Sequence, residues 1–468
     1  MKHASWWFVA AAMLFLYALR AEAVFTQDTF YSLRMGQETV ASWTSQGLAA
    51  GPLEHTDAWV HVQWLAHLAL FAVFQLMGLK GVLFVRALLS SWAVASVATQ
   101  GAKDDPHSLR LAVWGLIAIA VISPFLAVRA QSLAEPLFVA VLLLSRRKVS
   151  PGQLAQIGVL GALWANVHGS VVLISAILFV ALVGRWKDHS RNSRAMLFVA
   201  AVGSLALPLL TPFGLRGIVH YQATALSPLV RASVEEWASA TIAETPVFFA
   251  AVLLLAAVAF RARVWRWDLS SLMLCAGLAG VASRSLRHEL WFALCFASVG
   301  PTWLPRALAP ETLAFVATRD PMPVARALVA VSVLALGVAG ARAESRLSHD
   351  GVQAQARWLA DQPQGVSLHA DLWLTERGRM AEPTRLAARL SRDVRMERWT
   401  PMDFECAGQM RGWRALRSGI CTADLIWVDA ARGRPSQAAL HEAGWEIVRE
   451  APAGRALVLR RRAIRVPQ

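Results

Sequence analysis

Apolar residues along the chain fall into runs of roughly 15 to 20 residues with almost no charge, the length that a helix needs to cross a bilayer. The first run covers 6–25 and the last covers 324–341. The pattern predicts a polytopic, all-α membrane protein: a helical bundle with about eleven spans. Between the first and the last, the predicted spans are 81–98, 111–128, 133–144, 153–165, 171–183, 195–210, 247–260, 269–282 and 290–299.

The first run can also be interpreted as a cleaved signal peptide. Lys2 precedes the apolar core, and Ala21-Glu-Ala23 has the small-x-small arrangement of a cleavage site. A run with Arg20 and Glu22 near its end is equally typical of a membrane anchor, and many further spans follow. The sequence leaves both interpretations open.

The stretch after the first run is amphipathic. Asp28 can cap a helix whose apolar residues include Phe30 and Leu33, which is typical of a helix lying in the membrane interface. We interpret the apolar segment 61–77, which precedes the span 81–98, as a juxtamembrane or half-inserted helix. If it crosses fully instead, the downstream topology inverts or one later segment does not span.

The composition changes near residue 344 to that of a soluble domain, with Arg but no Lys from there on. The patterns indicate helices at 352–359 and 436–443 and strands at 365–369, 425–428 and 455–459. We therefore predict two domains. These are a membrane domain, 1–343, with a first extracytoplasmic loop at 26–60, and a small soluble extracytoplasmic α/β domain, 344–468.

The formal net charge is +15, from 46 Lys and Arg against 31 Asp and Glu. Basic residues cluster in alternate connections, at 146–148, 185–194 and 261–266, and the positive-inside rule places these connections in the cytoplasm. A positive charge of this kind is expected beside the anionic headgroups of membrane lipids. Because no basic motif with interleaved aromatic residues occurs, nucleic acid is disfavoured as a partner.

The four cysteines do not have the spacing of metal ligands. Cys275 and Cys295 lie in apolar segments, whereas Cys406 and Cys421 lie in the predicted soluble domain. If that domain is outside the cytoplasm, the second pair can form a disulfide or remain as free thiols.

Polar landmarks follow one another in a set order between and after the spans. They are 28–36, beginning with Asp28; 59–65, ending in Gln-Trp-Leu; Arg129-Ala-Gln131; Trp164-Ala-Asn-Val-His-Gly169; Thr211-Pro-Phe-Gly214; Glu236-Trp237; Arg287-His288; and Gly444-Trp445. In this order the chain resembles the GT-C superfamily of polyprenyl-phosphate-dependent glycosyltransferases, most closely a bacterial branch of it. The resemblance covers nearly the whole chain and implies a multi-pass protein of the bacterial inner membrane that acts in the cell envelope.

The resemblance implies transfer of a hexosyl or pentosyl group from an undecaprenyl-type phosphate carrier to a lipid, glycan or protein on the extracytoplasmic face, with inversion. This chemistry needs a carboxylate that removes the acceptor's proton and cationic groups that receive charge on the phosphate.

Asp28 occupies the first-loop acid position and is the expected general base; the alternative is a helix N-cap. Glu135 is the expected second carboxylate, which orients the acceptor or holds a divalent metal; the alternative is an acid capping the Pro136 helix. Two distant acids do not define a metal site.

The candidate substrate-binding and phosphate-binding residues are cationic or polar. Guanidinium groups bind phosphate through paired donors, so Arg284 and Arg287, with His288, are candidates; anchoring to lipid headgroups is the alternative. Glu235 or Glu236 can pair with this cluster, and Glu236 fits the resembled pattern. The remaining candidates are Arg129, Asn166 and His168. For His168 the alternative is an interhelical contact, which is typical of a His between apolar spans.

Three positions depart from the resembled pattern: Ser32 and Val62 stand where His is expected, and Ala130 stands where Pro is expected. They leave open a non-catalytic protein of the same fold that binds lipid-linked glycan. A transporter or flippase is the alternative from another class. It predicts paired halves with broken helices, and the sequence has no such internal symmetry.

Overall fold

The computed structural model describes residues 4–46, 60–100, 108–226, 235–307, 322–349, 351–362, 368–370, 425–429, 437–442, 444–451 and 456–461. It is mostly helical, as the apolar pattern predicts. The first helices are α1 (Ala4–Leu19), α2 (Gln27–Gln46), α3 (Trp64–Ala98), α4 (Ser108–Ile122), α5 (Ala130–Ser145), α6 (Pro151–Val167) and α7 (Leu173–Gly184). The next are α8 (Arg191–Gly203), α9 (Leu215–Leu226), α10 (Pro246–Arg261), α11 (Leu269–Arg284), α12 (Glu289–Ala307) and α13 (Met322–His349). Residues 47–59 of the predicted first loop, as well as Cys406 and Cys421, lie outside the described residues.

Among the described residues, three helical stretches are long and apolar enough to cross a bilayer, judged by length and composition: Trp64–Ala98, Arg191–Leu210 and Met322–Ala360. Shorter apolar helices of 10–17 residues accompany them. Some helices continue into 3-10 turns: α4 is followed by Ser123–Phe125, and α8 continues through Ser204–Leu210.

Helix α3 is kinked at Gly78, where φ is 67° and ψ is −166°. This conformation is essentially restricted to glycine. The carboxylate of Glu344 occupies the position that a Cβ at residue 78 would fill, and it accepts a hydrogen bond from the Leu79 N–H at 2.8 Å. The kink therefore divides the apolar segments 61–77 and 81–98 and fixes α3 against the end of α13.

One end of the bundle, which we call the Asp28 end, is held together by contacts between connections. The Val128 N–H donates to the Val24 carbonyl at 3.1 Å, and the Thr29 hydroxyl donates to the Val128 carbonyl at 2.9 Å. The Leu286 N–H donates to Ala238 at 3.1 Å. These bonds bring the start of α2, the start of α5 and the turns around 238 and 286 to the same end.

The opposite end contains the basic connections. Arg146 donates to the Ser298 carbonyl at 2.8 Å and to the Gln100 side chain at 3.0 Å, and Arg185 donates to the Ser145 carbonyl. Trp303 donates to Asp268 at 2.9 Å. The helices between the two sets of contacts therefore run alternately up and down the bundle.

Helices α1 and α13 run in the same direction. Near their first residues, Trp6 and Trp7 share a cavity of about 380 Å³ with Met322 and Arg326. Near their other ends, Arg346 pairs with Glu22 at 2.5 Å. The chain therefore leaves α13 at the Asp28 end of the bundle.

The C-terminal part contains α14 (Val352–Ala360), α15 (Gln437–Glu442) and the strands β1 (Leu368–Ala370), β2 (Leu425–Asp429), β3 (Trp445–Glu450) and β4 (Ala456–Arg461). The strand order is β1-β2-β4-β3, with β1 parallel to β2 and the other pairs antiparallel. Buried Gln355 of α14 bonds to the Ala456 carbonyl and the Trp427 indole, and this attaches the helix to the sheet. The sequence pattern did not identify β3.

Candidate active site

Asp28 lies in the first turn of α2. The preceding connection is fixed because the Thr26 N–H donates to the Thr29 hydroxyl at 3.1 Å, and that hydroxyl donates onward to Val128. The N-terminus of a helix favours a negative charge because its unpaired N–H groups carry partial positive charge. The carboxylate is thus held at a helix start, with about a third of its side chain (33%) exposed.

Arg129 links two carboxylates. It precedes α5, where its N–H donates to the Ser132 hydroxyl at 3.1 Å. Its Nη1 lies 3.8 Å from Oδ2 of Asp28 and donates a shorter hydrogen bond to Oε1 of Glu236. Arg129 is therefore engaged mainly by Glu236, and its charge is shared with Asp28.

Arg287 is the second cation of the site. It lies in the 3-10 turn Leu286–His288, and its guanidinium carbon is 4.6 Å from the centre of the Trp237 ring. Gln131 donates to its carbonyl oxygen at 3.2 Å. Within the described ranges, the half-buried guanidinium has no ion-pair partner and no hydrogen bond from its side chain. Its donors remain available for an anion.

The two acids have different protonation properties. Burial, with the neighbouring charge of Glu236, raises the pKa of Asp28 to about 6, although Arg129 and Arg287 oppose the rise. Burial also acts on Glu236, but Arg129 and Arg287 together hold the pKa of that carboxyl below its usual range. Glu236 is the permanently charged partner, whereas Asp28 is able to exchange a proton near neutral pH.

The two candidate histidines are neutral. Burial and the charges of Arg287 and Arg129 hold the pKa of His168 well below its usual value, and burial and Arg287 lower the pKa of His288 to about 4. Nδ1 of His168 accepts a hydrogen bond from the Ser170 N–H at 3.1 Å, so its proton is on Nε2. His168 thus offers one N–H donor beside the arginines.

Two other candidates are placed differently. Both ends of the Asn166 amide are occupied, since Oδ1 accepts from the Trp64 indole at 2.8 Å and Nδ2 donates to the carbonyls of Ala162 and Leu210. Arg284 is exposed at the end of α11. The structure thus brings together Asp28, Arg129, His168, Glu236, Arg287 and His288, whereas Asn166 connects helices around them.

Glu135 lies inside the bundle. It is 1% exposed and accepts hydrogen bonds from Arg86 at 2.7 Å and from Ser90 at 2.5 Å. Arg86 also donates to the Phe125 carbonyl, and the Tyr17 hydroxyl donates to Ser90. These contacts favour a structural role for Glu135, and its predicted catalytic role stays a prediction.

Sequence reasoning missed two groups near the site. Thr39, His61 and His67 form a buried hydrogen-bonded chain, with 3.3 Å between Thr39 and His61 and 2.7 Å between the two imidazoles. Tyr221 on α9 packs on Gly169, directly after His168. Of these surroundings, only the ion pair of Arg34 and Glu38 could be recognised from the sequence. The two residues are spaced i, i+4 in α2, and the pair lies beside the histidines.

No group of three His, Cys, Asp or Glu side chains is placed to hold a metal ion in the part of the chain that the structure describes.

No family model and no curated protein sequence matches the chain. Its fold is similar to that of the oligosaccharyltransferase AglB from Archaeoglobus fulgidus, solved with an inhibitory peptide and a dolichol-phosphate. The identity is 12%, the TM-score is 0.52, and the match covers 91% of this chain and 69% of AglB. The chain has the GT-C fold. The resemblance inferred from the order of the landmarks is confirmed at the level of the fold.

Two further solved structures match at lower scores. The apo form of an oligosaccharyltransferase from the same archaeon has 12% identity and a TM-score of 0.47, over 92% of this chain and 70% of that one. ArnT from Cupriavidus metallidurans, bound to undecaprenyl phosphate, has 12% identity and a TM-score of 0.46, over 97% of both chains.

Proposed function

We propose that this GT-C protein is an integral-membrane glycosyltransferase that moves a sugar from a polyprenyl-phosphate carrier to a hydroxyl of a lipid, glycan or protein acceptor. The observation that carries the proposal is the group of charged side chains around Asp28, namely Arg129, Glu236 and Arg287. It combines one acid that titrates near neutral pH, one arginine held between two carboxylates and one arginine with free donors. A base and an anion-binding cation side by side are what sugar transfer from a phosphate requires.

In this proposal Asp28 is the general base. It takes the proton of the acceptor hydroxyl while the oxygen attacks the anomeric carbon from the side opposite the phosphate. The bond between that carbon and the phosphate oxygen breaks, and its electron pair leaves with the carrier phosphate. One substitution of this kind inverts the anomeric configuration.

Arg287 receives the negative charge on the leaving phosphate. A guanidinium presents several donors to phosphate oxygens, and the stacking on Trp237 keeps it in place. Arg129, held by Glu236, orients Asp28 and limits the repulsion between the two acids. The Nε2 proton of His168 supplies one more donor to the ligand.

We also propose that the catalytic end lies outside the cytoplasm of a bacterial inner membrane. The basic connections at the opposite end support this orientation through the positive-inside rule. The first and last spans of a chain run in the same direction only when the number of crossings is odd, as it is for eleven. The parallel course of α1 and α13 agrees with this number. The soluble domain 344–468 then follows on the same face as Asp28.

The test measures sugar transfer from a panel of polyprenyl-phosphate sugars by purified wild type and Asp28→Asn in detergent or lipid. Loss of a general base lowers turnover by about a hundredfold or more and leaves carrier binding nearly unchanged. Glu22→Gln is the matched control, because Glu22 is a nearby acid at the same end that pairs with Arg346 instead.

Equal turnover in wild type and Asp28→Asn would rule out Asp28 as the base. A wild type that binds the carrier but transfers no sugar from any member of the panel would favour the non-catalytic binding protein.

A further inference from the structure

Tyr221, on α9, has a hydroxyl that the fold does not use. The hydroxyl is buried and has no hydrogen-bond partner among the described residues. A buried hydroxyl without a partner is unfavourable, so such groups in native proteins usually meet a ligand or water. The hydroxyl therefore needs a partner from outside the chain.

The Tyr221 ring is held at the candidate active site. It packs directly on Gly169, where a Cβ would collide with the ring atoms, so residue 169 has to be glycine for this packing. Gly169 follows His168, whose imidazole lies within electrostatic reach of Arg287 and Arg129. The ring is thus fixed against the residue that directly follows His168.

Arg287 acts on the same hydroxyl. Burial raises the pKa of Tyr221, and the Arg287 guanidinium opposes that rise, so the two groups lie within electrostatic reach of each other. The guanidinium has no ion-pair partner among the described residues. A cation without an ion-pair partner, within electrostatic reach of a buried hydroxyl without a partner, suits an anion with several oxygens.

We propose that Tyr221 donates a hydrogen bond to the phosphate of the isoprenoid carrier, next to Arg287. The inference rests on the proposed function and deepens it, because it assigns a residue to the headgroup that every donor lipid shares, whatever the sugar. The ligand class is an isoprenoid phosphate, with or without a sugar attached.

The test compares wild type and Tyr221→Phe for binding of a polyprenyl phosphate and of a polyprenyl-phosphate sugar. The phenylalanine keeps the ring on Gly169 and removes a hydroxyl that has no hydrogen-bond partner among the described residues, so thermal stability should not fall. Binding of both lipids should weaken by about tenfold, as for loss of one hydrogen bond to a charged group. Tyr17→Phe is the control, since its hydroxyl bonds to Ser90 in the bundle interior, and it should bind as wild type does.

Equal affinity of wild type and Tyr221→Phe for the bare phosphate would overturn the inference, as would a loss confined to the sugar-bearing lipid, which would place the hydroxyl on the sugar. Sugar transfer, measured for the wild type, Tyr221→Phe and Asp28→Asn beside carrier binding, separates this result from the proposed function. If Tyr221→Phe binds the carrier about tenfold more weakly than the wild type does, but no protein, wild type included, transfers sugar, the phosphate site stands and the transferase fails. If the wild type binds neither lipid, both fail.

Discussion

Asp28 and Glu236 share one arginine, and the sharing is unequal. Arg129 bonds directly to Glu236 but stays 3.8 Å from Asp28. Two acids whose surroundings separate their pKa values are typical of sites with one charged group and one proton-transfer group. In the proposed mechanism, the proton-accepting role therefore falls to Asp28, the acid with the weaker contact.

The pH dependence of transfer should report the Asp28 pKa. Since only the ionised carboxylate accepts a proton, the rate should rise with pH through a midpoint at about 6, where half of the Asp28 carboxylates are ionised, and then level. In Glu236→Gln the rising limb should move to lower pH, because the variant removes a repelling charge and releases Arg129 toward Asp28. The measurement is the rate of single-turnover transfer between pH 4 and 8, that is, from about two units below the limb to two above it.

Glu244→Gln is the control for this profile, because Glu244 is an exposed acid bonded to Thr241 in a nearby connection. An unchanged limb in Glu236→Gln, or a move to higher pH, would contradict the shared-arginine interpretation.

The sequence predicted most of the residues that the structure brings together in the candidate site, but not their connections. Asp28, Arg129, Glu236 and Arg287 stand out because charged residues are rare near apolar runs. That Arg129 pairs with a carboxylate more than a hundred positions later depends on helix packing, which has no local signal. Tyr221 was missed for the same reason: only the structure shows its hydroxyl without a partner.

At the scale of elements, apolar runs predicted the helices well, because the bilayer requires each backbone group to be bonded within its own helix. Their bounds were harder to predict. The apolar segments 61–77 and 81–98 fall largely within one kinked helix, α3, because Glu344 supports the backbone at Gly78. The network of Tyr17, Arg86 and Glu135 joins α1, α3 and α5, and its partners are too far apart in sequence to be recognised as pairs.

The Arg86–Glu135 pair gives a test of the second predicted carboxylate. Arg86→Met alone should lower the free energy of unfolding by about 3–5 kcal/mol, because it leaves a buried carboxylate unpaired. Arg86→Met with Glu135→Leu should restore most of that loss, since no buried charge remains. Thermal unfolding in detergent measures both.

Transfer activity of the double variant then decides the role of Glu135. Activity near that of wild type would establish a structural role, whereas a folded but inactive double variant would support the catalytic role that the resemblance implies.

At the scale of the whole molecule, the site and the C-terminal sheet belong to the same end of the bundle. Because α13 runs parallel to α1, the chain passes from His349 into α14 on the side of Asp28. In the proposed function, the predicted soluble domain would approach an acceptor that arrives from the aqueous phase, whereas the carrier would reach the same site from the bilayer.

This arrangement predicts opposite labelling of two exposed positions. In a variant whose four native cysteines are replaced, Ser348→Cys reports the end of α13, and Arg147→Cys reports the basic connection after α5. The proposed crossings from α6 to α13 are odd in number, so the two positions must lie on different faces. A membrane-impermeant thiol reagent should label Ser348→Cys in intact spheroplasts, and Arg147→Cys only after the membrane is permeabilised. Labelling of both from the same side would exclude an odd number of crossings, and the reverse pattern would place Asp28 and the proposed chemistry on the cytoplasmic face.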